Sequence, residues 1–290
     1  MDLTGLFCNV DDFVNQPNIV NILPLPGSKV RRTRDFRLSD SEIMTICIAY
    51  HQSGYKNFKT FYLEYVCKYL KPQFPDLVSY NRFVELMSTV SYLLANYLIS
   101  KLDQPTGISY IASTPIQVCK PKRMSRNKVF KESGKKSKSS IGWFFVFKLH
   151  IIINEKGGLL ALKFTKGNTN DCKPVLEMAK NLFGKLFGDK GYISKELSAE
   201  LMEKNIQLIT GVKNNMKNKL MPILDKILLR KRSIIETVND QLKNISNIEH
   251  SRHRSVKNFF INILCALIAY THQAKKPGIT GINYEMLALI

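Results

Sequence analysis

The chain has 290 residues, of which 43 are Lys or Arg against 23 Asp or Glu, giving a formal net charge of +20 and a pI of about 9.7. Hydrophobic residues make up 44%, enough to build a core, so a disordered basic tail is excluded. The length fits two domains, or one large domain with an appendage, and the charge excess points to a polyanionic partner, nucleic acid ahead of an acidic membrane surface.

The first residues, MDLTGLFCNVDDFV, carry Asp2, Asp11 and Asp12 and no basic region, unlike a signal peptide. Residues 1–105 are expected to be helical. Ser39 followed by Glu42 forms a capping box ahead of an apolar stripe. NFKTFYLEYVCKYL spaces its aromatics as a helix does, and SYNRFVELMSTVSYLLANYLISKL is a third long amphipathic segment. Core packing is the plain reading of these stripes. Before them, Lys29, Arg31, Arg32, Arg34 and Arg37 form either a solvated face or a phosphate-contacting arm.

The pattern changes near residue 106. GISYIASTPIQV reads as a strand with a Thr-Pro turn, and WFFVFKLHIIIN and GLLALKFT as two strands joined by a hairpin at NEKGG. Between the first two lies a basic insertion, 119–141. It holds Lys120, Lys122, Arg123, Arg126 and Lys128 as well as Lys131, Lys135, Lys136 and Lys138, with Glu132 its only acid. It is expected to be a mobile arm that orders on a phosphate backbone. NDCKPVLEMAKNLF predicts a helix capped at Asn170 or Asp171, KLFGDKGY a short strand ending in a glycine-bounded loop, SKELSAELMEKN a helix and IQLITGV a strand. A second basic patch covers 213–232. Two helices, 231–246 and 255–273, close the series, which is that of a mixed sheet flanked by helices. The apolar run Phe259–Tyr270, interrupted by Asn262, is shorter than the ~18–20 residues of a bilayer span and predicts a buried helix. Residues 274–290 read as a peripheral tail. The six cysteines form no C-x-x-C pair and are expected to be free thiols in a reducing compartment.

Acids are scarce, so their settings stand out. Asp189 sits between Gly188 and Lys190-Gly191, where flexible backbone would let its carboxylate approach a ligand. Glu236 shares one helical face with Arg232 and Lys243. A carboxylate between two cations suits metal-assisted phosphoryl chemistry, the acid holding Mg²⁺ and the cations the phosphates. Simple i,i+4 pairing of Arg232 with Glu236 is the bland alternative.

Taken together, G-D-K-G-Y at 188–192 and R-x3-E-x6-K at 232–243 resemble the second acid and third-acid signature of DDE insertion-sequence transposases. The insertion-sequence family numbered nine-eight-two is the subfamily whose hallmarks resemble F-K-L-H (147–150), G-N-x-x-D (167–171), L-F-G-D-K-G-Y (186–192) and R-H-R-S (252–255). The resemblance covers nearly the whole chain. It implies an RNase H-like catalytic core at 106–273 and an all-helical DNA-binding region at 1–105. It also implies three carboxylates holding two Mg²⁺ (or Mn²⁺) ions, and cleavage followed by strand transfer. The partners implied are double-stranded DNA, as terminal inverted repeats and target, and a second copy of the chain. The setting implied is the bacterial cytoplasm, at the nucleoid. Candidate DNA contacts are the basic arm and insertion, with Lys148, Lys190, Arg232, Lys243, Arg252, His253 and Arg254. Where the family pattern I-D-S-T-P would place the first acid, this chain has Ala112, 77 residues before Asp189, which in turn lies 47 before Glu236. Alanine offers no ligand, so the chain is expected to bind DNA without cutting it. The intact surroundings read as a designed change that traps a protein–DNA complex; a naturally inactive, domesticated copy is the other reading.

Overall fold

Asp2 accepts a hydrogen bond from the Gly5 amide and starts helix α1 (Leu3–Val14), which buries Leu6, Val10 and Phe13 along one face. A computed structural model gives the protein's structure and describes residues 2–20, 37–118, 129–130, 135–139, 142–212, 220–249 and 253–279. A short turn, α2 (Pro17–Val20), follows. Ser39 and Glu42 form the expected reciprocal capping box on α3 (Asp40–Tyr50), which is buried along nearly its whole length. Asn57 caps α4 (Phe58–Thr60), which continues through a wider π turn (Phe61–Val66) into α5 (Cys67–Tyr69). The third long segment is not one helix. It divides into α6 (Tyr80–Met87) and α7 (Ser91–Ser100), bent by 59°.

Strand β1 (Ile108–Gln117) runs through Pro115 without the expected turn, because Pro115 continues the register opposite Lys148 of β3 (Gly142–Asn154). Before β3, the basic insertion contributes a strand, β2 (Lys135–Ser139), paired antiparallel with 142–146. That part of the insertion is therefore sheet edge and not a free arm. β4 (Leu159–Lys166) pairs with residues 147–153 of β3, along the same edge as β2. The NEKGG hairpin is as predicted: the Asn154 side chain accepts from the Lys156 and Gly158 amides, and Gly157 takes φ +74°. The predicted helix after β4 shrinks to α8 (Val175–Met178), and neither Asn170 nor Asp171 caps it. Parallel strands β5 (Gly184–Gly188) and β6 (Ile206–Thr210) flank α9 (Lys195–Met202), capped by Ser194.

α10 (Ile223–Arg230) lies within the segment read as a basic patch. α11 (Ser233–Asn244) and α12 (Val256–Thr271) match the last two predicted helices, and α12 is buried as expected. No single described helix is long and apolar enough to cross a membrane. All described cysteines are free.

The chain divides into two units: 1–101 with 242–272, and 102–241 with 273–290. Residues 242–272 thus belong with the N-terminal helices, although 106–273 was expected as one continuous domain. In the helical unit α3 and α12 form the centre, with α1, α6 and α7 against them. The second unit is a six-stranded mixed sheet of order β2-β3-β1-β5-β6, with β4 also on β3. One face carries Ile111, Ile152, Leu186 and Ile206 into a core with α8, α9 and Tyr192. Residue 279, beyond α12, donates its backbone amide to the Glu155 carbonyl of this sheet unit, at 2.9 Å.

Candidate active site on the sheet

β1 and β5 run parallel, with Tyr110 directly opposite Phe187 and the two rings stacked at 5.4 Å. Two residues further along each chain come Ala112 and Asp189. Side chains alternate along a strand, and Asp189 keeps extended backbone (φ −77°, ψ −179°), so both positions fall on the Tyr110–Phe187 face. Ala112 is half-buried and Asp189 exposed. Ala112, in the middle of β1, and Asp189, just past the end of β5, thus lie along neighbouring parallel strands on one face of the sheet.

The glycines around Asp189 work differently from the expectation, since neither Gly188 nor Gly191 adopts positive φ. Gly188 allows close approach: a Cβ there would lie 3.0 Å from Tyr192 Cδ2 and 3.3 Å from Ile111 Cγ2. Gly191 donates its amide to Asp189 Oδ1 at 2.8 Å, and an added Cβ would sit 2.9 Å from that same oxygen. Asp189 thereby caps its own 3-10 turn, which fixes the carboxylate beside the strand end.

α10 packs against β5 and β6 and precedes the helix that carries the third candidate acid. Lys185, on the same face of β5 as Phe187 and Asp189, pairs at 2.7 Å with the buried Asp225 of α10. After a two-residue turn, Lys231-Arg232, α11 begins and presents Glu236, whose side chain is 63% exposed. Arg232 donates to Glu236 at 2.8 Å, so the bland i,i+4 pair exists. It leaves most of the carboxylate open to solvent.

The opposite face holds a cluster that the sequence reading underused. Lys148 Nζ donates to Asp171 Oδ1 at 3.0 Å and to the Thr169 carbonyl at 3.1 Å. Lys148 is therefore an internal partner of Asp171, not an unpaired cation awaiting phosphate. His150, fully buried, binds Thr165 Oγ1 through Nε2 at 2.8 Å and has Nδ1 3.8 Å from Asp171. Burial pushes this imidazole down to about 4, against the opposing pull of Asp171. Tyr192 is also buried. Burial, then the negative charges of Asp171 and Asp189, raise its phenol. Cys172 Sγ reaches the Gly191 carbonyl at 3.6 Å, so the G-N-x-x-D and G-D-K-G-Y loops touch. The motif F-K-L-H with G-N-x-x-D was the available signal; reading Asp171 as a helix cap concealed it.

Lys190 is exposed beside Asp189. Lys243, His253 and Arg254 belong to the helical unit. There Lys243 pairs with Glu249 at 3.4 Å, and His253, half-buried edge-on to Phe259, is driven down to about 4 by burial. Ser255 caps α12. Arg254 is exposed. Arg31, Arg32, Arg34, Lys120, Lys122, Arg123, Arg126, Lys128 and Arg252 lie outside the described residues.

The sheet unit thus combines a mixed sheet, an exposed carboxylate, Asp189, at the turn after β5 and an exposed glutamate, Glu236, on the later helix α11. Residues 102–256 match the family model of the transposase DDE domain, more than half of the chain, and the chain belongs to that family. Over 125 residues it is 26% identical to a protein of Brucella ovis described as a transposase for insertion sequence element IS6501, a stretch covering 42% of this chain and 95% of the relative. Its likeness is thus to the transposases that insertion sequences carry.

Proposed function

We propose that this chain is an insertion-sequence transposase that binds DNA as a dimer, at terminal inverted repeats and target, and that Ala112 leaves it unable to cleave. The observation that supports this most is the parallel pairing of Tyr110 with Phe187, two residues before Ala112 and Asp189. The order of four antiparallel strands, one of them the short edge strand β2 from the insertion, followed by two parallel ones supports an RNase H-like core, in which the third acid comes from α11.

Such domains use divalent metal ions, Mg²⁺ or Mn²⁺, in pairs in the active parent. The donor set here does not fit them. Asp189 and Glu236 are oxygen donors, but Ala112 contributes none, and among the described residues no three His, Cys, Asp or Glu side chains are grouped to hold a metal. What the chain retains is charge and position. Lys190 and Arg232 flank the two acids, and the net charge of +20 favours a phosphate backbone. The helical unit is assigned the reading of DNA sequence.

The test is Ala112→Asp on duplexes ending in the inverted repeats that flank the gene. Mg²⁺-dependent cleavage and strand transfer are expected to appear, and to vanish again on adding Asp189→Asn or Glu236→Gln. Continued inertness of a folded Ala112→Asp protein that still binds the DNA would sink the transposase reading of the site.

A further inference from the structure

The helical unit contains a cavity of about 470 Å³ that none of the sheet chemistry uses. Its lining comes from α3 to α6 and from the start of α12, all within that unit. Phe58 and Tyr80 give it an aromatic wall, their rings 6.4 Å apart. Lys56, Lys59 and Arg254 give it positive charge, and among the described residues no Asp or Glu lines it. Among the described residues the Lys56 ammonium is held by neutral oxygens, Asn244 O at 3.2 Å and Asn247 Oδ1 at 2.6 Å. Lys59 lies over the Tyr80 ring at 5.8 Å, and Arg254 is exposed. Asn81 and Asn258 add amide donors and acceptors. The hydroxyl of Tyr50, another lining residue, is buried with no hydrogen-bond partner among the described residues.

These features call for one kind of ligand. The cations demand an anion, the aromatic wall a flat apolar face, and the amides and stranded hydroxyl a polar edge. The volume falls in the small-ligand range of ~300–1,000 Å³, room for one nucleotide and not for a duplex. We infer that this cavity takes a single unpaired nucleotide of the bound DNA, its base against Phe58 and Tyr80 and its phosphate at Lys59 and Arg254. A duplex nucleotide would have to leave its stack first, so an unpaired one at a strand end is the favoured source. The inference rests on the reading of the chain as a DNA-binding transposase.

The experiment measures binding of the full chain, at one salt concentration, to a blunt duplex and to the same duplex with one unpaired 3′ or 5′ nucleotide. The unpaired nucleotide is 2-aminopurine, so that stacking quenches its fluorescence. The expected result is about tenfold tighter binding with one of the two extensions, the scale of one stacked base, together with quenching. Val84→Trp, which fills the cavity without changing charge, is expected to reduce the advantage below about twofold and abolish the quenching. Lys59→Ala with Arg254→Ala, both at exposed positions, is expected to do the same if Val84→Trp does not fold. Equal binding of blunt and extended duplexes overturns the assignment and leaves DNA binding standing. Binding of neither overturns both. Deoxyadenosine monophosphate bound tightly, with no advantage for either extension, assigns the cavity to free nucleotides and also overturns it.

Discussion

Lys148 Nζ sits 3.0 Å from Asp171 Oδ1, with the two side chains 19% and 30% exposed. The pair ties β3 to the loop that also touches the turn carrying Asp189. Asp171→Ala removes the partner of a largely enclosed ammonium, leaving it the Thr169 carbonyl alone. The expected cost is about 1–3 kcal/mol in urea unfolding. Removing Glu64 from its exposed pair with Lys68 is expected to cost measurably less. Equal effects of the two would show that the Lys148–Asp171 pair is no more than a surface contact.

Gly188 tests the geometry of the G-D-K-G-Y turn. A methyl group there meets Tyr192 at 3.0 Å and Ile111 at 3.3 Å, both buried. Gly188→Ala is expected to destabilise the protein by about 1–3 kcal/mol, the scale of overpacking, with a matching fall in thermal midpoint. Gly191→Ala instead meets the Asp189 carboxylate at 2.9 Å. In an Ala112→Asp background it is expected to lower cleavage more than stability, since it turns aside a side chain that faces solvent.

Much of this layout was legible in the chain. The capping box at Ser39, the NEKGG hairpin and the buried run at 259–270 depend on neighbours a few residues away, and each formed as expected. The misreadings came where distant contacts decide. Pro115 looked like a turn but lies in a strand that β3 holds in register. The insertion looked too charged to fold, yet 135–139 extends an edge that the long β3 offers. The break between α6 and α7 carries no proline or glycine to announce it. Ala112 was read as a missing acid only through its motif; the pairing of Tyr110 with Phe187, which sets the two strands side by side, is a distant contact that no local pattern announces.

Ala112→Asp should also be visible without DNA. It would set a second carboxylate beside Asp189 on the same face. Their repulsion is expected to lower the thermal midpoint slightly in the absence of metal. Mg²⁺ or Mn²⁺ is then expected to raise the midpoint of Ala112→Asp and to leave the Ala112 protein unchanged, as ligand linkage requires. An equal rise in both proteins would place the metal elsewhere.

The histidines set an acid limit on stability. His51 is fully buried in the helical unit, its Nδ1 2.6 Å from the Ser246 carbonyl, and burial lowers it to about 4. His150 in the sheet unit is lowered to the same value. An imidazole in the unfolded chain titrates near ~6.5. Between those values the unfolded state binds the proton and the folded state does not, so unfolding takes up protons and is favoured as pH falls. The stabilising contribution is therefore complete above about pH 6.5 and is lost progressively toward pH 4, by up to roughly 3 kcal/mol for a fully buried imidazole. Urea midpoints measured from pH 7 to pH 5, above the main titration of ordinary carboxylates, should fall steadily. His51→Asn and His150→Asn are each expected to flatten that slope, whatever their effect on stability at pH 7. An unchanged slope in both variants would mean that these imidazoles are protonated in the folded protein.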